Sequence, residues 1–293
     1  MTQSRETVEA RPSGSLAVST GAVRSATEGP GVLENPWGYG KRLRFVTEAI
    51  RAAFREKPPA SIRVLDVGCG NGSLLALPLA CHGFDLTGID LDQTSIEHAQ
   101  RLAEGIPSAR FLVGALTELA EPCFDVVLLS EVLEHQVEPQ TLLLASVQHL
   151  QPNGIVIVTV PNGRGEFEID SWIFRSLGMS SIMNLFRNLL GRNGNSKRRS
   201  ADHLDISATD NHDCGHVQFF SRDKLERLFA QSSLTIVREG AGTLMCGPIA
   251  CSVLGRSRLF IEWNARVTDK LPLAFASSWY FVLRRDLHTG VSL

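Results

Sequence analysis

Five short apolar runs recur between Ile62 and Val160, "IRVLDV", "FDLTGID", "ARFLVG", "FDVVLLS" and "GIVIVTV", and the stretches between them are polar or amphipathic. Runs this short and this continuously apolar predict strands covered on both faces, and intervening patterns such as "DQTSIEHAQRLAE" predict helices. Strand and helix alternating in this way define a doubly wound α/β sheet with helices on both faces, whose ligands bind beyond the carboxyl ends of the strands. Ahead of the alternation, Leu43, Val46, Ile50 and Phe54 sit at helical spacing in "GKRLRFVTEAIRAAF", and Pro58 and Pro59 end that helix. Beyond it, "SRDKLERLFAQSSL" predicts a helix N-capped by Ser221, and "SWYFVLRR" predicts a last strand.

The rhythm is interrupted once. Residues 163–215 form a long insertion, its first part amphipathic through Trp172, Ile173, Leu177, Ile182, Leu185, Phe186 and Leu189, its second part a basic loop around "GRNGNSKRRS". The expected organisation is a disordered tail over 1–32, rich in Ser, Thr, Ala and Gly, and a core over 33–162. The helical insertion over 163–215 follows, and the remainder of the core occupies 216–293.

Composition narrows the partners. A formal net charge of −2 over 293 residues gives no global attraction to nucleic acid or to an anionic membrane. The longest apolar stretch, "TLMCGPIACSVLG", is broken by Gly247 and Pro248 and falls short of a bilayer span. Six cysteines without a CxxC pair, and no apolar leader, read as a reduced, cytoplasmic protein; any membrane contact is peripheral.

The chemistry starts at "RVLDVGCGNGSLLA", where an apolar run carrying Asp66 abuts Gly68, Gly70 and Gly72. Glycines after the first strand of such a sheet let a ligand approach the main chain; they also serve a purely structural strand-to-helix turn. The second run ends in Asp90, about 20 positions beyond the glycines, where a carboxylate accepts hydrogen bonds from ribose hydroxyls. A dinucleotide fingerprint would place a third glycine where Ser73 stands, and Asp66 is a poor neighbour for a pyrophosphate. A cationic or zwitterionic amino-acid portion suits Asp66 better.

"VLDVGCGNG", "LTGIDLD", "FDVVLLSEVLEH" and "LQPNGIVIVTVPN", in this order from Asn35 to Gly240, closely resemble class I S-adenosylmethionine-dependent methyltransferases, in particular the branch containing ubiquinone-biosynthesis O-methyltransferases. The resemblance implies a Rossmann-like methyltransferase sheet with a helical lid in the insertion. It implies that Asp66, Gly68, Gly70 and Gly72 surround the methionine part of S-adenosylmethionine, that Asp90 holds the ribose and that Leu91 lines the adenine. Ser130 falls beside the methionine portion. Where the family often carries an acidic residue for the adenine amine, Ala115 stands here, leaving backbone groups of Gly114, Ala115 and Leu116 to hold the base. The segment "NPWGYGKR" folds over the cofactor in the resembling family, which brings Tyr39 or Arg42 to the methionine carboxylate.

Methyl transfer from a sulfonium depends chiefly on positioning, and a hydroxyl acceptor gains from proton removal by a carboxylate, a histidine or a metal. Glu131, Glu134 and His135 follow the fourth strand, and a helical turn beginning there would put the two glutamates on one face. With distant His216 they resemble the metal-binding set of small-RNA 2′-O-methyltransferases, for a divalent cation such as Mg; they also look like the acceptor-pocket segment of metal-independent members. Either reading makes His135, His216 and Glu131 the catalytic candidates. His203, His212, Asp213 and Cys214 lack the paired short spacings of a structural zinc site. The function expected is O-methylation of an aromatic, lipid-linked or glycosylated small molecule. RNA methylation ranks second, resting on Arg187, Arg192, Lys197, Arg198 and Arg199. A non-catalytic cofactor-binding module and a nicotinamide-dependent dehydrogenase are the rivals from other classes.

Overall fold

A computed structural model describes residues 34–119, 124–163, 165, 217–247, 250–251, 254–255 and 257–286. The segment 1–32 and nearly all of the insertion 163–215 lie outside them, as do His203, His212, Asp213, Cys214 and His216. Helix α1 (Tyr39–Ala53) precedes β1 (Arg63–Val67), α2 (Ala76–Cys81), β2 (Asp85–Asp90), α3 (Gln93–Leu102), β3 (Ala109–Val113), β4 (Phe124–Ser130), α4 (Pro139–Gln148) and β5 (Leu150–Pro161). After the insertion come α5 (Arg222–Gln231), β6 (Leu234–Ala241), α6 (Arg258–Val267) and β7 (Ser278–Arg285).

The five apolar runs form the expected strands. The sheet order is β3-β2-β1-β4-β5-β7-β6, with β1 to β5 parallel and β7 antiparallel to both its neighbours. The C-terminal run is therefore a strand inserted between β5 and β6, and the sheet is mixed. Successive residues of β1 serve opposite faces. Val64 joins Leu43, Val46, Ile50, Leu86 and Ile96 in one apolar core; Leu65 joins Leu129, Leu143, Val158 and Phe229 in the other. This double cover is the physical reason the strands read as unbroken apolar runs.

Helix starts follow local chemistry. The Asp92 side chain accepts from Ser95 N at 2.8 Å, and the predicted cap Ser221 accepts from Lys224 N at 3.3 Å. Helix α1 buries the predicted Leu43, Val46 and Ile50, and with them Lys41 and Arg42. Lys41 Nζ donates to the carbonyls of Gly242 (3.0 Å) and Ala265 (2.7 Å) and pairs with Asp269 at 2.7 Å, fastening α1 to the β6–β7 connection.

Candidate functional site

The bend after β1 is built from three left-handed glycines, Gly68 (φ 70°), Gly70 (φ 54°) and Gly72 (φ 72°), a conformation that costs an L side chain about 1–2 kcal/mol. Two of the three positions are also closed by the protein's own atoms. A Cβ on Gly68 would lie 2.8 Å from Val132 Cγ2, and one on Gly72 would lie 2.7 Å from Phe111 Cζ. Turn geometry and internal packing thus account for Gly68 and Gly72, and the glycine pattern alone does not require a ligand.

Where the third glycine of a dinucleotide fold would stand, Ser73 is buried and donates from its N–H (3.1 Å) and Oγ (2.7 Å) to Asn71 Oδ1. The helix that follows begins only at Ala76 and has six residues, and its Leu77 N–H is taken by Gly72 O at 2.8 Å. The amides expected to greet the ligand there are partly engaged within the turn itself.

Two carboxyl groups carry more information. Asp90, at the end of β2, is buried and accepts from Gly70 N (2.8 Å, Oδ2) and Asp92 N (2.9 Å, Oδ1). A carboxylate has about four acceptor sites, so both oxygens keep capacity for a ligand while the two amides fix their direction. Asp66, within β1, is 3% exposed, and burial first, then the nearby Asp90 charge, push its carboxyl up to about 7. Among the described residues no basic side chain pulls it back. An acid pair left in this state at the carboxyl edge of a sheet favours a cation.

Around it lie the expected adenine-side residues. Leu91 is 76% exposed at the rim, and Leu116 is buried in a 3-10 turn, Leu116–Glu118. The Gly114 amide donates to Asp90 O at 3.0 Å, and the Ala115 amide donates to Glu118 Oε2 at 3.0 Å. Of the backbone groups of Gly114, Ala115 and Leu116 expected to hold adenine, the first two amides are therefore occupied. The Glu118 carboxylate folds back over Gly114, where a Cβ would lie 2.8 Å from its Oε2.

Beyond β4 the sequence expectation needs correcting. Glu131 has φ 56°, an uncommon conformation for a non-glycine residue, and the short helical turn covers only Leu133–His135. Glu131 and Glu134 are thus not successive positions of one helical face. Glu131 turns to Arg42, whose Nη2 lies 3.1 Å from its Oε1, and it also accepts from Thr159 Oγ1 at 3.0 Å. Ser130 Oγ lies 2.9 Å from Thr159 Oγ1 and accepts from Arg42 Nη1 at 3.4 Å. The Arg42 guanidinium also lies 5.7 Å from the centre of the Tyr39 ring and 6.0 Å from that of Tyr280. This network holds the strained Glu131 backbone in place.

Glu134 faces inward, 2% exposed, with neither carboxylate oxygen hydrogen-bonded. Burial, reinforced by Glu131, drives its carboxyl far above the ordinary range, so it holds its proton at neutral pH. His135 is half-buried, its Nε2 4.0 Å from Glu134 Oε1. Among the described residues no group of three or more His, Cys, Asp or Glu side chains comes together to hold a metal, and the fourth expected ligand, His216, lies outside them. Arg42 Nη2 and Thr159 Oγ1 both engage Glu131 through its Oε1.

The family comparison separates this chain from nicotinamide-dependent dehydrogenases and places it with the class I S-adenosylmethionine-dependent methyltransferases. The chain belongs to the methyltransferase domain family, whose model matches residues 39–239. It is similar to the ubiquinone biosynthesis O-methyltransferases of Rickettsia akari and Rickettsia canadensis, 38% and 39% identical over 123 residues. Those matches cover 41% of this chain and 48% and 51% of the relatives, so the chain spans about half the length of the curated relatives it matches. Among solved structures, PKMT2 from Rickettsia typhi in complex with AdoHcy is 19% identical, with a TM-score of 0.49, covering 79% of this chain and 50% of that one. Among the described residues no helix is long and apolar enough to cross a membrane.

Proposed function

We propose that this chain transfers the methyl group of S-adenosylmethionine to an oxygen atom of a small-molecule acceptor, aromatic, lipid-linked or glycosylated. The observation that carries the cofactor is Asp66, buried beside Asp90, whose desolvation and repulsion by Asp90 a cationic nucleoside would relieve. The preference for oxygen rests on the named activity of the Rickettsia relatives.

In this reading the cofactor supplies an electrophilic methyl on a positively charged sulfur. Asp66 takes the amino end of its methionine portion, beside the backbone of Gly68, Gly70 and Gly72, and Asp90, aimed by the Gly70 and Asp92 amides, takes the ribose hydroxyls. Leu91, Ala115 and Leu116 flank the base. Ser130 lies beside the methionine end, fixed by Arg42 and Thr159. His135, half-buried, accepts the acceptor's proton, with His216 as its companion, while Glu131 holds Arg42 in position. Most of the rate enhancement comes from alignment, because charge is lost rather than created as the new bond forms. The direct test incubates the full chain with S-adenosylmethionine and a panel of phenols, quinols and sugar hydroxyls and looks for a product heavier by one methylene. Product confined to nitrogen or carbon acceptors would remove the oxygen assignment.

Glu118 joins this site as a residue the sequence alone did not single out. Its carboxylate, held over Gly114, is an acceptor for the exocyclic amine of adenine. Glu118→Ala is expected to raise the Kd for S-adenosylhomocysteine by about 3–10-fold in calorimetric titration, the scale of one partly exposed hydrogen bond. Unchanged or tighter binding would return the adenine edge to the backbone.

A further inference from the structure

The β6–β7 connection carries an apolar surface that the methyl-transfer reading does not use. Along α6, Leu259 (82% exposed), Trp263 (51% exposed) and Val267 follow each other at i, i+4 and i+8. Together with Glu262, Arg266 and Lys270 they line one open groove of about 350 Å³. Leu254, Leu271 and Phe275, before and after α6 in sequence, are exposed as well.

This stripe is held outward by a buried polar clamp. Asn264, fully buried on the opposite side of α6, accepts from Met245 N at 2.8 Å and donates to Met245 O at 2.7 Å. Lys41 Nζ adds a bond to Ala265 O at 2.7 Å. Rotating α6 to bury Leu259 and Trp263 would leave those groups without partners in the interior, so the exposure is specified by the sequence.

The charges around the stripe identify the occupant. Arg258 and Arg266, with side chains 82% and 79% exposed, flank it together with Lys270. Glu262, 3.6 Å from Arg258 and 3.4 Å from Arg266, offsets one of the two arginine charges, and Asp269 pairs with Lys41 at 2.7 Å, which leaves the rim of Arg258, Arg266 and Lys270 net positive. An exposed Trp and Leu bordered by basic side chains match the interfacial zone of an anionic bilayer. A second copy of the chain fits less well: ten helical residues span about 15 Å and a helix is about 10 Å wide, a face on the order of 150 Å², far below the roughly 800 Å² per partner of a stable interface, and a twofold arrangement would oppose like charges. In addition, α6 joins the end of β6 to the start of β7, and Ser278 pairs with Pro161, the last residue of β5. The patch is thus carried on the same edge of the sheet as Asp90 and Ser130.

We infer that α6 is a membrane-surface docking element: Leu259, Trp263 and Val267 enter the headgroup region of an anionic bilayer while Arg258, Arg266 and Lys270 face its phosphates. This holds independently of the reaction catalysed, and the test needs no cofactor. The full chain is sedimented with vesicles of phosphatidylcholine alone or of equimolar phosphatidylcholine and phosphatidylglycerol. Wild type is expected to pellet with the anionic vesicles only, with a blue shift of tryptophan emission that Trp263→Phe abolishes. Leu259→Ser with Trp263→Ser, and separately Arg258→Glu with Arg266→Glu, are expected to weaken binding by more than about tenfold while leaving the melting temperature unchanged. The control pair Val137→Ser and Val237→Ser, exposed elsewhere, retains binding. Absence of binding by wild type, equal binding by the α6 variants, or a dimer in sedimentation velocity that the Leu259 and Trp263 changes dissociate would each overturn the inference.

Discussion

S-adenosylmethionine should bind this chain more tightly as pH rises through about 7, and Asp66→Asn should abolish most of that dependence. In the free chain the Asp66 carboxyl is pushed up to about 7 by burial and by Asp90, so below that pH it carries a proton that a cationic ligand must displace. Affinity then increases by as much as about tenfold per pH unit below the pKa and levels off above it. The Asn side chain keeps the size and one acceptor but not the charge, which at pH 8 is expected to cost about 1.5–3 kcal/mol of binding, roughly 10–150-fold in Kd. Asp90→Asn should behave differently. It loses a comparable amount through the ribose and leaves Gly70 N–H facing an amide, yet it keeps a pH dependence, displaced somewhat to lower pH because burial, the larger cause of the raised Asp66 pKa, remains while the Asp90 charge is gone. Calorimetry in two buffers of different ionisation enthalpy reads the proton released on binding. A Kd flat from pH 6 to 8 in the unmodified chain would refute the pairing of Asp66 with a cation.

Much of this architecture is legible because burial on both faces leaves a local record. The strands from β1 to β5, the α1 face of Leu43, Val46 and Ile50, and the Ser221 cap are each decided by residues within one short window. Strand β6 escapes that reading. It lies at the sheet edge, carries Thr235, Arg238 and Glu239, and is irregular between Ile236 and Arg238, so its apolar alternation breaks. The antiparallel insertion of β7 is likewise decided by pairing across the chain, which no local pattern encodes.

The site divides the same way. Asp66, the glycines and Asp90 are recognisable from spacing, but only the fold reveals that Val132 and Phe111 close on two of those glycines. The Arg42–Glu131 contact joins α1 to the end of β4, and the left-handed backbone at Glu131 overrides the helical turn its neighbours suggest. Glu118 lies three residues beyond Ala115, and only the tight turn Leu116–Glu118 brings its carboxylate back to the Ala115 amide, a return that no local pattern encodes.

That same turn after β4 predicts opposite outcomes for two neighbouring glutamates. Glu134 is buried, with neither carboxylate oxygen hydrogen-bonded, so desolvation and then the Glu131 charge raise its folded-state pKa far above its unfolded one. For a carboxyl the sign is then fixed: the folded state holds the proton more tightly, and stability is greatest below the unfolded pKa and declines as pH rises through neutrality. Glu134→Gln removes the group that must stay protonated while keeping its shape, and is expected to stabilise the chain by about 2 kcal/mol at pH 8, a melting temperature higher by about 4–8 °C, with almost no effect near pH 5. Glu131→Gln goes the other way. It strands the buried Arg42 guanidinium beside Ser130 and Thr159, and is expected to destabilise by about 2 kcal/mol or more at pH 7, because removing one member of a buried ion pair leaves the other uncompensated. The strain of the left-handed backbone at residue 131, previously held by that contact, adds to the loss. Thermal melts of both variants across pH 5 to 8 read the two signs together. A Glu134→Gln chain less stable than wild type at pH 8 would mean that the carboxylate is ionised and partnered in solution, and would remove the neutral-acid assignment.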